Sequence, residues 1–341
     1  MRIFNHNLLK HYLTTAHLSF CQDARLAPLW RDVIPDCAFS HEYLMHGLLA
    51  VSALHYGHAN QSHKQTYSLL SARHQALALN WFSAQLRNDI INEDNYKAQI
   101  FLGSIVFIFP VFAVAEAGRE GRPVSTHDVV QAFVLLKGEC LPPTPPPIFS
   151  SILDTPPPMT SSQWVAGGGE CDLLAALTKA SVPAAAADVV EPDEPAGAAA
   201  GGEFVRQLET TARGAVRAII AADHQQAVVV CEAAVEALRE TYARVMAAAP
   251  APGRMADGIW IWPLLLPEPF VALIAEGHPA ALVVLAHFAA LMRCCEVYWW
   301  SEGWSESVVD MIVARLEARA LAWVEWPVTC VRNGIDVRTL A

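Results

Sequence analysis

From His278 to Trp304 the chain reads HPAALVVLAHFAALMRCCEVYWWSEGW, with no charged residue before Arg293. Leu282, Leu285, Ala289 and Met292, then Cys295 or Glu296, recur at helical spacing. A helix apolar on nearly all sides must be buried on nearly all sides. The segment therefore predicts the central helix of a helical domain, ending in a tryptophan cluster. If that helix continues, Trp300 and Trp304 share one of its faces.

The same periodicity marks several other helices. Leu9, Tyr12, Leu13, Ala16 and Phe20 predict a first one. Leu44, Gly47, Leu48, Val51, Leu54 and His55 predict another, with Ser40 as its N-cap. Tyr67, Leu70, His74, Leu77 and Trp81 mark a third, Ala98–Ala115 a fourth and Ser125–Lys137 a fifth. Further on, Phe204–Ala222 and Ala227–Ala249 read as helices. In the latter, Val235, Leu238, Tyr242 and Val245 form a heptad-like seam too short for a coiled coil. Pro267 and Pro269 open a short helix through Ala275, and Ser305–Trp323 predicts the last. No alternating strand pattern persists, so the expected fold class is all-α.

Between Leu141 and Gly202 the pattern disappears. Half of the 22 prolines fall there, together with Ala and Gly tracts and seven acidic residues against one lysine. Such a composition cannot bury enough apolar surface to offset its ordering entropy. The expectation is a multi-helix domain, its first part at 1–140 and its second at 203–341. A long disordered acidic Pro/Ala/Gly-rich insert at 141–202 interrupts it, with one short helix at Asp172–Ala180.

Composition narrows the function. The chain is 53% hydrophobic and only 17% charged, and its net charge is −11. That balance, with no basic run, opposes direct nucleic-acid binding, which needs clustered Lys and Arg. The start, MRIFNHNLLKHYL, has no secretory h-region. The eight cysteines are therefore expected to be reduced, and none is spaced Cys-x-x-Cys as a structural zinc site would be. Ala98–Ala115 is uncharged and near the lower length limit for a membrane span. A buried helix kinked at Pro110 is the preferred reading, so no membrane span is expected.

Motifs for catalysis fail on spacing. His41 and His46 resemble a zinc-protease helix, but five residues turn the second ring about 140° away from the first. His55 and His58, with His63 near, lack a defined third ligand; histidines at the polar edges of buried helices are the simpler reading, and no metal site is expected. No Gly-x-Ser-x-Gly elbow occurs, and Gly167–Gly169 lacks the Gly-Lys-Ser/Thr of a phosphate loop. Glu302 and Glu306 are expected to act on a helix dipole rather than as an acid/base pair. The chain is expected not to be an enzyme and to have no catalytic residues. The aromatic cluster remains: Phe288, Met292, Trp300 and Trp304 are the candidate walls of an apolar ligand pocket, and their alternative role is to fill the core.

Two stretches carry a family resemblance. LLKHYLTTAHLSFC…LWRDVIPDCAFSHEYLMHGLLAVSALH (Leu8–His55) resembles the beginning of the regulatory domain of fungal zinc-cluster transcription factors of the sterol-uptake-control type. His278–Pro327 resembles that domain's end, and Leu69–Leu86 and Phe101–Ala115 fit the order between them. The resemblance implies an all-α, nuclear or shuttling transcription-regulatory module that forms homodimers. It implies contacts with transcription machinery or co-regulators, and a sterol as ligand. The family's six-cysteine zinc cluster has no counterpart in these residues. Zinc and DNA contacts are therefore expected only through a separate N-terminal domain, or not at all if the regulatory domain stands alone. The alternative function is a helical dimerisation or protein-interaction module without a ligand.

Overall fold

The computed structural model describes residues 2–20, 27–87, 93–140, 202–220, 225–247 and 258–340. The expected insert, but for Gly202, and the short helix expected at Asp172–Ala180 lie outside them. Every regular element among the described residues is helical, so the fold is all-α. These residues fall into two compact units, 2–109 with 135–140 and 110–134 with 202–340.

The first unit is built on α3 (Glu42–Ala59). Its residues Gly47–Ala53 are all buried, which covers every side of the helix. α1 (Arg2–Thr14), α2 (Ile34–Ser40), α4 (Lys64–Arg87) and α5 (Glu93–Val106) pack around it. Two buried hydroxyls reinforce the packing: Ser52 Oγ donates to the Leu8 carbonyl at 2.7 Å, and Ser71 Oγ to the Ala50 carbonyl at 2.9 Å. Tyr12, wholly buried, donates to the Trp30 carbonyl at 2.8 Å, and Phe20 stacks between the two rings. Gly47 lets α5 approach closely, because a Cβ there would lie 2.7 Å from the Leu102 side chain. Ser40 is not the N-cap of α3. It is the last residue of α2, and the abutting helices leave His41 in extended backbone as the cap.

α5 is followed by α6 (Ile108–Arg119). The break falls after Val106, one turn before Pro110. The proline ring has no N–H for the Val106 carbonyl and crowds it, which ends the ladder there rather than at the proline itself. Lys97–Arg119 is long and apolar enough to cross a membrane, and 78% of its most apolar window is buried inside the protein. α7 (Thr126–Cys140) opens with a reciprocal cap: Ser125 N–H and Oγ–H both donate to Asp128, whose N–H returns to Ser125 Oγ.

The second unit continues with α8 (Glu203–Gln207), a π-turn, and α9 (Arg213–Ile219). α10 (Gln225–Ala247), α11 (Ile261–Leu265), α12 (Glu268–Glu276) and α13 (Pro279–Arg293) follow. Every residue from Ala280 to Met292 is buried, so the central helix read from the sequence is central here. Gly277, at φ +76°, closes α12, and Pro279 starts α13 at a bend of 101°. α14 (Trp304–Arg315), α15 (Ala318–Leu321) and α16 (Glu325–Arg332) complete the unit. The single last helix expected over Ser305–Trp323 is thus broken at Leu316, whose backbone is extended, and a further helix follows it.

Candidate functional site

The four candidate residues lie in the second unit. Phe288 and Met292 are one turn apart on α13, and both are fully buried. α13 ends at Arg293, however, so Trp300 and Trp304 do not share a face of that helix. Trp300 lies in the connecting segment, and Trp304 is the first residue of α14. Gly303, at φ +85°, makes the turn between them, a conformation that glycine alone adopts without strain.

Phe288 is the hub of a ring cluster. It stacks on Trp262 at 4.3 Å between centroids and meets Phe133, Trp260 and Trp304 edge-to-face at 6.1, 6.4 and 5.8 Å. Trp304 stands nearly perpendicular to Trp260 at 6.0 Å, and Trp300 stacks on Tyr298 at 5.2 Å. Aromatic pairs prefer these separations and tilts, each worth about 0.5–1.5 kcal/mol beyond burial. The Trp262 indole N–H donates to the Ala234 carbonyl at 3.0 Å, which fixes the cluster to α10. The sequence reading does not count Trp260 and Trp262 among the candidate walls. It gave no sign of Phe133, which arrives from α7 before the insert.

Polar groups near α13 hold structure together rather than converge on one point. The Glu296 carboxylate is buried. It accepts the backbone N–H of Ser305 at 2.6 Å and of Gly303 at 3.2 Å, and pairs with Arg293 at 3.0 Å. It thereby caps the N-terminus of α14. Burial raises its pKa, and the bonds from Ser305, Arg293 and Gly303 oppose that rise. Glu306 sits in the first turn of α14, as the dipole reading expects, and pairs with Arg293 at 3.2 Å. Glu302 lies outside the helix, and its carbonyl accepts from Arg119. His287 is fully buried, donates from Nδ1 to the Val283 carbonyl at 2.8 Å and stacks on Trp326. Burial lowers its pKa to about 4, so the ring is neutral.

The described thiols have little nucleophilic character. Burial pushes Cys37 and Cys330 up to about 11 and Cys231 and Cys294 up to about 12, so each is protonated at neutral pH. Among the described residues, no three His, Cys, Asp or Glu side chains are grouped to hold a metal. The histidines instead make pairs that the sequence did not announce: His11 with His55, and His46 with His74. The arrangement around α13 suits burial and helix–helix packing.

Among curated proteins, none matches the chain. Residues 7–118, about a third of its length, match the fungal specific transcription factor domain. That span takes in the Leu8–His55, Leu69–Leu86 and Phe101–Ala115 stretches, while His278–Pro327 lies beyond it. The match supports a fungal transcription factor regulatory domain.

Proposed function

We propose that the chain is the regulatory module of a fungal zinc-cluster-type transcription factor and works through protein contacts rather than catalysis. The observation that carries this reading is the match of residues 7–118 to the fungal transcription factor domain, on an all-helical chain. In this reading the module acts in the nucleus as a homodimer and engages co-regulators or transcription machinery. DNA and zinc belong to a separate zinc-cluster domain, consistent with the net charge of −11. The test is to tether the chain to an unrelated DNA-binding domain in a fungal host and read a reporter. A change in transcription relative to the tether alone is expected; no change in either direction refutes the proposal.

Sterol sensing is the second reading. Its support is the apolar, ring-lined surroundings of α13. Against it, Phe288, Trp304 and their neighbours fill one another's space at ring-contact distances. Titration of the purified chain with ergosterol in detergent-free carrier, followed by tryptophan fluorescence and thermal shift, separates the readings. The filled-core reading expects no saturable change, and a saturable change with a raised melting temperature establishes the ligand.

A further inference from the structure

We propose that α3 is held between α1 and α4 by two imidazole–imidazole latches that open on acidification, making the first unit a pH-sensitive device. This inference stands on the described geometry and does not depend on the transcriptional reading.

His55 Nδ1 lies 2.9 Å from His11 Nε2 of α1, and His46 Nδ1 lies 3.0 Å from His74 Nδ1 of α4. Nine residues separate His46 from His55, which places them about half a turn apart, on opposite sides of α3. One latch therefore ties each flank of the central helix. Each contact needs one ring to present an N–H and the other a lone pair. A pair carrying a proton on all four nitrogens has no lone pair left to accept, and it brings two positive charges together. The Ser52 and Ser71 hydrogen bonds across the same two interfaces do not titrate, whereas the latches do.

The charged and titratable neighbours act in the same sense, with one exception. His55 faces His11 from α1 and His58 from its own helix, and both oppose its protonation. His74 faces His46 from α3 and Arg73 from its own helix, again both opposing. The exception is Glu42, an exposed carboxylate 3.9 Å from His46 Nε2, which favours the charged form of that ring. Cys37 of α2 contacts His41, the cap of α3; Lys97 of α5 acts on Cys37; and His63 lies against Tyr67. Burial is the largest influence on all four latch rings. It lowers His55 and His74 to about 4 and moves His11 and His46 in the same direction.

The sign follows. A histidine whose folded value is depressed contributes fully above its free value near 6.5, and that contribution is lost as pH falls toward 4. At pH 5 the difference amounts to a factor of about 30 in the opening equilibrium for one fully coupled ring. The partial exposure of His55 reduces its share.

The test uses the full chain with 15N-labelled histidine. At pH 7.5 each latch should show a 15N–15N coupling through its hydrogen bond, and His55 and His74 should titrate well below 6. Amide exchange in α1 and α4, corrected for its intrinsic pH dependence, should rise between pH 6.5 and 4.5. In H55Q/H74Q, where glutamine can still hydrogen-bond but cannot titrate, that rise should shrink about tenfold or more. An unchanged rise in the variant overturns the proposal. So does titration of His55 and His74 near 6.5 in the unaltered chain, which decides the matter even if the variant does not fold.

Discussion

Replacing Phe288 with alanine distinguishes a filled core from a pocket. The ring is wholly buried and contacts four other rings, from α7, α11, the segment before α11, and α14. The substitution removes about 100 Å³ of side chain; at about 24 cal/mol per Å³, an uncollapsed cavity of that size costs about 2.4 kcal/mol. The lost transfer free energy of the ring adds about 2 kcal/mol. The sum, about 4 kcal/mol, falls within the range of about 3–5 kcal/mol for burying and then deleting a phenylalanine. Collapse is hindered because Trp262 is tied to Ala234 and Trp304 is pinned at the start of α14. Urea unfolding of the second unit, followed by tryptophan fluorescence and circular dichroism, gives the difference directly. A loss below about 1 kcal/mol would refute the reasoning, because it would mean that the Phe288 ring already borders empty space.

Gly118→Ala should cost about 1–3 kcal/mol, because its Cβ would overlap Ser307 Oγ and lie 2.9 Å from Ser307 Cβ. Adding Ser307→Gly should restore most of the loss in thermal melts, and simple additivity would count against the contact. Tyr12→Phe should destabilise the first unit by about 1–2 kcal/mol, read by urea titration, because it leaves the buried Trp30 carbonyl without its donor. Glu296→Gln should cost about 1–3 kcal/mol at pH 7, because Gly303 and Ser305 donate to different carboxylate oxygens and an amide offers only one. The same variant should lose whatever part of the second unit's pH dependence Glu296 supplies, and identical slopes in unfolding free energy from pH 5 to 8 would reject that role.

What was legible in the sequence, and what was not, divides along the range of the interactions. α13 was legible because thirteen consecutive buried residues leave no polar stripe to misread. α3 and α10 were legible from three- and four-residue spacing alone. Boundaries failed where one helix abuts another: Ser40 has the chemistry of an N-cap, yet it closes α2. The break at Leu316 has neither proline nor glycine to announce it. The candidate site was legible as a set of apolar rings but not as an arrangement. Phe133 comes from before the insert, and the latch partners are 44 and 28 residues apart, separations on which periodicity is silent. Glu296 was hidden for a related reason. Read as a continuation of α13, it is one more helical position; once Gly303 turns the chain, it becomes the cap of α14.

Burial and ion pairing set how individual groups in each unit respond to acid. In the first, burial depresses four imidazoles, so their contribution is complete above about pH 6.5 and drains away as pH falls. In the second, burial raises Glu296 above its ordinary value near 4.5, so the folded state takes up that proton first. Its contribution therefore grows as pH drops through the folded value and is lost as pH rises through it. The fully buried His287 runs the other way, as do Glu236 and Asp336, which hydrogen bonds from Arg239 and Arg338 hold below the usual carboxylate range. Both latches lie within residues 7–118, so the proposed pH response acts on the part of the chain that matches the fungal transcription factor domain.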